Sequence, residues 1–345
     1  MLIAGLARNG GGPTRAGPCL LAAAVRERLM GRSDETAPGH RVEAMTQPEP
    51  QISVVVPVRQ GAETAADTLG KLLGREGLEV IAVVSSEDPT AALLRDLRQR
   101  LPSLALLEIA GSWSAPQLRA HGVRAARGRL VAITEDHCDF SPNWPQALAA
   151  ALDDPTAGAG GGGVTNGRRG SLVDWAIYFS RYASVMPPNP RGPAQTLSGN
   201  NACCRRDVLE AHRAFYENGL WEHEFHRHLL RHGLRLIQEP AAVVTRRKPY
   251  QFGPYCALRF RHGRCFGGMI RKSGGGLTLA ARLLASPLTP FLQALRSARA
   301  VAVKRVHRKE YCLALPLLVI CYMAWAAGEV AGYLGGSGEA CSQTD

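Results

Sequence analysis

Apolar residues recur along residues 51–155 in short, unbroken runs separated by amphipathic stretches. Runs at 52–58, 78–84, 104–109 and 130–133 are too short for helices and rich in β-branched residues, which predicts four strands. Between them, residues 62–73, 90–101 and 115–127 carry apolar positions at helical spacing, with Arg95, Arg98 and Arg100 turned outward. Runs that do not alternate with polar residues are buried on both faces. Interleaved with helices, they predict an α/β fold with a mostly parallel, doubly wound sheet. Arg59-Gln60-Gly61 after the first run is not GxGxxG, which disfavours a dinucleotide dehydrogenase.

Beyond residue 155 the pattern loosens. The glycine run 158–163 reads as a flexible lead-in to a strand at 163–166. Residues 172–185 form an amphipathic, aromatic stretch whose Trp175, Tyr178, Phe179 and Tyr182 are expected to pack a helix on the core. A second helical stretch opens with Trp221-Glu222-His223-Glu224 and closes at Gly233. Its His223, His226, His228 and His232 are dense, but their spacing spreads them round the helix and predicts no shared ion.

The C-terminal part is apolar. Residues 311–328 carry no charge and the apolar character resumes after Glu329. About 24 residues at ~1.5 Å each span a ~30 Å hydrocarbon core. Residues 277–295 are apolar too, but contain Arg282, Pro287 and Pro290, and read as interfacial. Arg259, Arg261, Arg264, Arg271 and Lys272 precede that segment, and Arg296, Arg299, Lys304, Arg305, Arg308 and Lys309 follow it. Positive flanks on both sides place both in the cytoplasm, with a single span. A buried helix pair in a soluble protein is the alternative. Residues 1–50, rich in Gly, Ala, Arg and Pro, read as a disordered leader, or as sequence upstream of a true start at Met45.

Charge sharpens the picture. The chain has 41 Lys and Arg against 29 Asp and Glu, a formal net charge of +12, which suggests a polyanionic substrate, anionic lipid or nucleic acid. The basic residues lie beside the apolar C-terminal segments rather than on an aromatic-interleaved strand, which argues against nucleic acid. Nine cysteines show no CxxC pair and predict reduced, unpaired thiols.

The richest stretch is Arg129-Leu130-Val131-Ala132-Ile133-Thr134-Glu135-Asp136-His137-Cys138-Asp139. A buried strand ends there in a cluster of hard oxygens and one imidazole, suited to Mg²⁺ or Mn²⁺. In an open α/β sheet ligands bind beyond the carboxyl ends of the strands. Two later segments bear on the same site. In Gly199-Asn200-Asn201, glycine lets backbone approach a ligand and the amides offer donors and acceptors. The acids at the start of the 222 helix could serve as a base or simply favour the helix dipole.

The order Ser53-Val54-Val55-Val56-Pro57, Arg124-Ala125-Ala126-Arg127-Gly128-Arg129, the acidic triplet, Gly199-Asn200 with Arg205-Arg206, and the acid-led helix resembles the bacterial family-two glycosyltransferases. Those enzymes have the Rossmann-like GT-A fold of nucleotide-diphospho-sugar transferases and transfer with inversion. The resemblance covers residues 51–272. It implies that Glu135-Asp136-His137 stands for the DxD-type loop that holds a metal on the donor diphosphate, with a Glu and a His replacing two Asp. Metal ligation then falls to Asp136 and His137, with Glu135 assisting; the imidazole suits Mn²⁺ better than Mg²⁺. Donor contacts fall to Pro57, Ser85, Glu87, Arg119, Glu135 and Asp136. Ser85-Ser86 stands where the family usually has an Asp, and Glu87 or Asp88 would substitute. Gly199, Asn200 and Asn201 would line the sugar and acceptor pocket. Arg261 and Arg264 would hold diphosphate oxygens, and Glu222, with Glu224 nearby, would be the general base. No QxxRW is present, which disfavours processive polymer synthesis.

The expected organisation is therefore a leader (1–50), a GT-A domain (51–272), a basic interfacial segment (273–309), a transmembrane helix (310–335) and a tail (336–345). The expected partners are a nucleotide-diphospho-sugar, a glycan or lipid-linked acceptor and anionic membrane lipid, not nucleic acid. The expected location is the cytoplasmic face of the inner membrane. A catalytically inactive GT-A-like scaffold and a membrane-tethered nucleic-acid-binding protein are the two rival readings.

Overall fold

Four of the apolar runs become neighbouring parallel strands in the computed structural model, which describes residues 50–343. The expected leader and the alternative start at Met45 lie outside those residues. Strand β1 (Ile52–Val58) is buried at all seven positions. It pairs in parallel with β2 (Leu78–Ser85) on one side and β4 (Leu130–Ile133) on the other, and β3 (Leu104–Ile109) pairs beyond β2. Alternate residues of β1 feed two cores. Val54, Val56 and Val58 pack with Leu69 and Leu72 of α1 (Ala62–Leu73) and Leu94 of α2 (Thr90–Arg100). Val55 packs with Leu118 and Val123 of α3 (Ala115–Ala125). Cover on both faces is why these strands show no polar alternation.

The eight-stranded sheet runs β3-β2-β1-β4, then β9 (Ala202–Arg205), β6 (Ala157–Gly161), β10 (Arg235–Gln238) and β8 (Gly192–Ala194). β5 (Cys138–Phe140) and α4 (Trp144–Ala150) follow the acidic loop, and β6 comes next. β9 lies antiparallel between β4 and β6, and β10 runs parallel to β6, with β8 at the edge. A small sheet of β5, β11 (Val244–Arg246) and β7 (Val164–Asn166) sits beyond.

The glycine run is thus not a flexible lead-in but a buried strand. Its residues are glycine because neighbours press on it: a Cβ at Gly160 would lie 2.6 Å from Ala151 Cβ, and one at Gly161 or Gly162 would overlap a backbone carbonyl. Helix α5 (Leu172–Tyr182) buries Trp175, Tyr178, Phe179 and Tyr182 as its aromatic pattern predicts. After β9 come α6 (Arg206–Ala211), α7 (Arg213–Tyr216) and α8 (Glu222–Arg231).

The C-terminal third forms a helical layer of α9 (Phe252–Ser273), α10 (Gly276–Ala285), α11 (Thr289–Lys304) and α12 (Arg308–Gly335). Pro287 and Pro290 divide α10 from α11 with a 3₁₀ turn. α12 is long and apolar enough to cross a membrane. It packs against α5, α9 and α11: Tyr311, Ala314, Leu318 and Tyr322 join Tyr178 and Phe179 of α5 and Val301 of α11. Against α9 the two backbones touch. Gly263 and Gly267 meet the carbonyls of Trp325 and Glu329, and Gly328 and Gly332 meet those of Phe260 and Arg264. Small residues spaced four apart on both helices permit this approach.

A disulfide joins Cys265 of α9 to Cys341 in the short 3₁₀ turn Gly338–Cys341. It corrects the expectation that all thiols are unpaired. Spacing gave no sign of it because the two residues are 76 apart in sequence and meet only through α9–α12 packing.

Candidate active site

Parallel strands end on one side of a sheet, and there the loops after β1, β2 and β4 meet. After β1, Arg59 N donates to Asp136 Oδ2 at 3.2 Å and Gln60 N donates to Asp88 Oδ2 at 3.0 Å. Gly61 lies against the Asp136 carboxylate, and a Cβ there would sit 2.8 Å from its Cγ. Asp88 Oδ1 also accepts from Thr90 N at 2.9 Å, capping α2. Ser85 is buried at the end of β2 and its Oγ accepts from Trp113 N at 3.0 Å. Glu87 is exposed, so Asp88 is the carboxylate that reaches the β1 loop.

After β4, Thr134 Oγ1 donates to Asn200 O at 3.0 Å and fixes the start of the acidic loop. Glu135, Asp136 and His137 are at most 8% exposed. Asp136 Oδ1 lies 2.8 Å from His137 Nδ1. With the proton on Nδ1, His137 Nε2 presents a lone pair to Glu135 Oε2 at 3.0 Å, and neither atom has a hydrogen-bond partner. Orphaned buried polar atoms are costly. Two donor atoms at this separation fit neighbouring ligands of one cation with bonds of about 2.1 Å at right angles. A carboxylate oxygen and an imidazole nitrogen suit Mn²⁺. The pair that fits an ion is therefore Glu135 and His137, with Asp136 orienting the imidazole from behind.

Two buried arginines complete the electrostatics. Arg119 of α3 lies 3.4 Å from Glu135 Oε1 and also pairs with Glu222. Arg181 of α5 lies 3.7 Å from Glu135 Oε1. Burial opposes ionisation of Glu135, but the facing positive charges, Arg181 and Arg119 among them, hold its carboxyl well below the usual range. Cys138 next to the loop is no rival ligand: burial, then the Glu135 charge, pushes its thiol up to about 12.

Glu222 begins α8 and lies against Gly199, where any side chain would collide with the carboxylate. A cavity of about 430 Å³ opens between Arg119, Glu135, Arg181, Asn200, Glu222 and Glu224, walled by Phe266, Met269 and Trp325. A narrow crevice on the far side of Glu135 is lined by Pro57, Arg59, Asp136, His137, Lys248 and Tyr250. Acids, arginines and an orphaned ligand pair thus stand between two openings, one polar and basic, one partly apolar.

Residues 53–213 match the family model described as Glycosyl transferase family 2. Over those residues the chain carries a domain similar to the family 2 glycosyltransferases. Among solved structures, the glycosyltransferase is similar to the mannosyltransferase PcManGT from Pyrobaculum calidifontis in complex with GDP-Man and Mn²⁺, at 20% identity and a TM-score of 0.52, covering 92% of this chain and 97% of that one. A second similar structure is GalNAc-T7 with UDP, GalNAc and Mn²⁺, at 16% identity and a TM-score of 0.46, covering 59% of this chain and 44% of that one. No curated protein matches the chain. The fold is GT-A, as the strand order and the first of these structures show.

The remaining expected residues of the glycosyltransferase divide. Asn200 lines the cavity and its Nδ2 donates to Tyr182 OH at 3.4 Å. Asn201 does not line it: its amide is spent on Trp144 Nε1, Gly163 O and Ala242 O at 2.8, 2.9 and 2.8 Å. Glu224 sits at the mouth, paired with Arg227 at 2.5 Å. Arg261 lines a separate cavity of about 450 Å³ with Arg59, Gln60, Lys248 and Tyr250. Arg264 turns away, its Nε donating to Gly336 O at 3.3 Å.

Sequence reasoning missed Arg181 and the cavity role of Arg259. Arg181 is the lone cation on a largely aromatic and apolar helix, a signal open to reading. Arg259 is buried, its guanidinium 4.3 Å from the Trp325 ring centroid. That partner lies on α12, beyond the reach of any local pattern.

Proposed function

We propose that this glycosyltransferase moves a sugar, with inversion, from a nucleotide-diphospho-sugar to an acceptor hydroxyl, assisted by Mn²⁺ or Mg²⁺. The observation that carries this is the orphaned pair Glu135 Oε2 and His137 Nε2, 3.0 Å apart and buried at the end of β4. These are the positions at which a DxD-type loop has its two aspartates. The donor diphosphate would lie in the crevice beside Arg59 and Lys248, with its sugar directed past Glu135 towards Glu222. A bound cation would neutralise charge on the departing diphosphate. Glu222 would accept the acceptor's hydroxyl proton as its oxygen bonds the anomeric carbon. The carbon–oxygen bond to the diphosphate breaks, and the nucleoside diphosphate leaves from the opposite face. Asn200 and Arg181 would position the sugar.

The Phe266–Met269–Trp325 wall supports an acceptor with an apolar portion, such as a lipid-linked glycan. The α10–α11 segment supports membrane contact: Leu277, Leu284 and Phe291 are 91%, 83% and 72% exposed among Arg271, Lys272, Arg296 and Arg299. Because α12 is packed along its length by α5, α9 and α11, we favour attachment through this helical layer on the cytoplasmic face over a free-standing span. The Mn²⁺- and nucleotide-bound state of the mannosyltransferase relative agrees with the donor class.

The test is calorimetry of GDP and UDP with and without Mn²⁺, using the full chain and His137→Ala. Metal-dependent binding of one nucleotide, weakened at least ~10-fold in the variant, is expected. Absence of metal-dependent binding by folded wild-type protein would refute the proposal.

A further inference from the structure

The three histidines of α8 and His232, which caps its end, do not share one fate. His226 faces inward, 1% exposed, and its Nδ1 accepts from Leu197 N at 3.4 Å. His223 stands at the mouth of the cavity. His228 and His232 lie one turn apart on a third face, where they meet His212 at the junction of α6 and α7. No spacing rule on one helix anticipates the third member. One ligand nitrogen from each of His212, His228 and His232 lies within 4.8 Å of the others.

The local geometry prepares these nitrogens. His212 Nδ1 and His228 Nε2 share a hydrogen bond at 3.0 Å, near the separation of two ligands on one ion with bonds of about 2.0–2.1 Å, and a bound ion would replace the shared proton. His232 Nδ1 is 2.9 Å from the His228 carbonyl, which takes that proton and leaves Nε2 with its lone pair. The ring of Phe215 stacks on His228 at 4.2 Å and 23°, fixing its plane. No carboxylate joins the three among the described residues.

We propose that His212, His228 and His232 form a metal site for a borderline divalent cation, Zn²⁺ in the first instance, with water in the fourth position. Three imidazoles without a carboxylate select such an ion over Mg²⁺ or Ca²⁺. This site lies about 15 Å along α8 from Glu222, at ~1.5 Å per residue, so it is distinct from the acidic loop. Its ligands come from two segments, the α6–α7 junction and the last turn of α8. A bound ion therefore ties the far end of the helix that begins with Glu222 to the element following β9. The proposal stands whether or not the donor reading does.

The test titrates Zn²⁺ into metal-free full-length protein, counting bound metal by mass spectrometry, beside His232→Gln and His212→Gln. His232 is exposed, so its variant leaves the core intact. Each variant is expected to bind one equivalent fewer than wild type, or to bind it at least ~10-fold more weakly. Zn²⁺ is expected to raise the wild-type Tm by more than it raises either variant's. Zinc held by the acidic loop would appear as an equivalent that both variants retain. Equal stoichiometry and affinity in all three proteins would overturn the proposal, as would loss of metal in only one variant.

Discussion

Asn200 and Asn201 are adjacent, yet the structure gives them opposite tasks, and replacing Asn201 by leucine separates them. Asn201 is 0% exposed and joins three segments: α4 through Trp144, the β6–β7 turn through Gly163 and the β10–β11 connection through Ala242. Three such bonds at about 1 kcal/mol each contribute ~3 kcal/mol. Leucine fills the same volume and admits no water, so the Trp144 N–H and two carbonyls are stranded, adding roughly 1–3 kcal/mol. A total near 5 kcal/mol at about 2 °C per kcal/mol lowers Tm by ~10 °C for a chain of this size. Asn201→Asp also destabilises, because its second oxygen faces two carbonyls. Differential scanning calorimetry reads the shift, and nucleotide affinity measured well below Tm stays within ~2-fold of wild type. If Asn201→Leu melts with wild type but loses nucleotide, Asn201 belongs to the site and this account of it is wrong.

The same structure makes further predictions. Glu222→Gln should retain nucleotide binding but lose ~10²–10⁴-fold in kcat, the usual worth of a general base, in a radiolabelled transfer assay. Stability should fall on acidification through His226. Burial, then the charge of His223, lowers its pKa to about 4, so between 6.5 and 4 the unfolded chain binds a proton that the folded chain refuses. The His226 contribution is complete above 6.5 and lost as pH falls through that window, at a cost of about 3 kcal/mol. Urea midpoints across pH 4–7 should show the slope, and His226→Leu should flatten it. Gly267→Leu should force α9 from the Glu329 carbonyl, lowering stability by at least ~2 kcal/mol together with transfer activity. A stable, active Gly267→Leu protein would show that close helix approach is not needed.

The first half of the fold is legible because each apolar run there is settled locally. The runs at 52–58, 104–109 and 130–133 have the observed ends, since nearly every residue in them is apolar, with Ser53 and Glu108 the exceptions, and 52–58 and 130–133 are buried throughout. β6 is illegible for the opposite reason: Ala-Gly-Ala-Gly-Gly has no strand propensity and is held by what approaches it, Ala151 and the Asn201 carbonyl. The glycines of α9 suggest a loop but serve a helix contact with α12. At the site, the acidic loop and Glu222 are readable as acids where acids are useful. The roles within the loop are not. Only the folded geometry turns Glu135 towards His137 and leaves Asp136 to orient it. Arg181 and Trp325 reach the cavity from 172–182 and 308–335, and no single window of sequence contains their meeting.

The wall formed by α9 and α12 bears on how the enzyme is made. Every carboxylate of the cavity is synthesised by residue 224, but the cavity is closed only by Arg259, Phe266, Met269 and Trp325. The growing chain thus holds its acids before it has an enclosed place to use them, and the cavity closes only when α12 docks between α5 and α9 and Cys341 reaches Cys265. A chain stopped before residue 308 would keep the Glu135–His137 pair, Glu222 and the α9 side of the cavity, and lack Trp325 and the helix that α9 packs against.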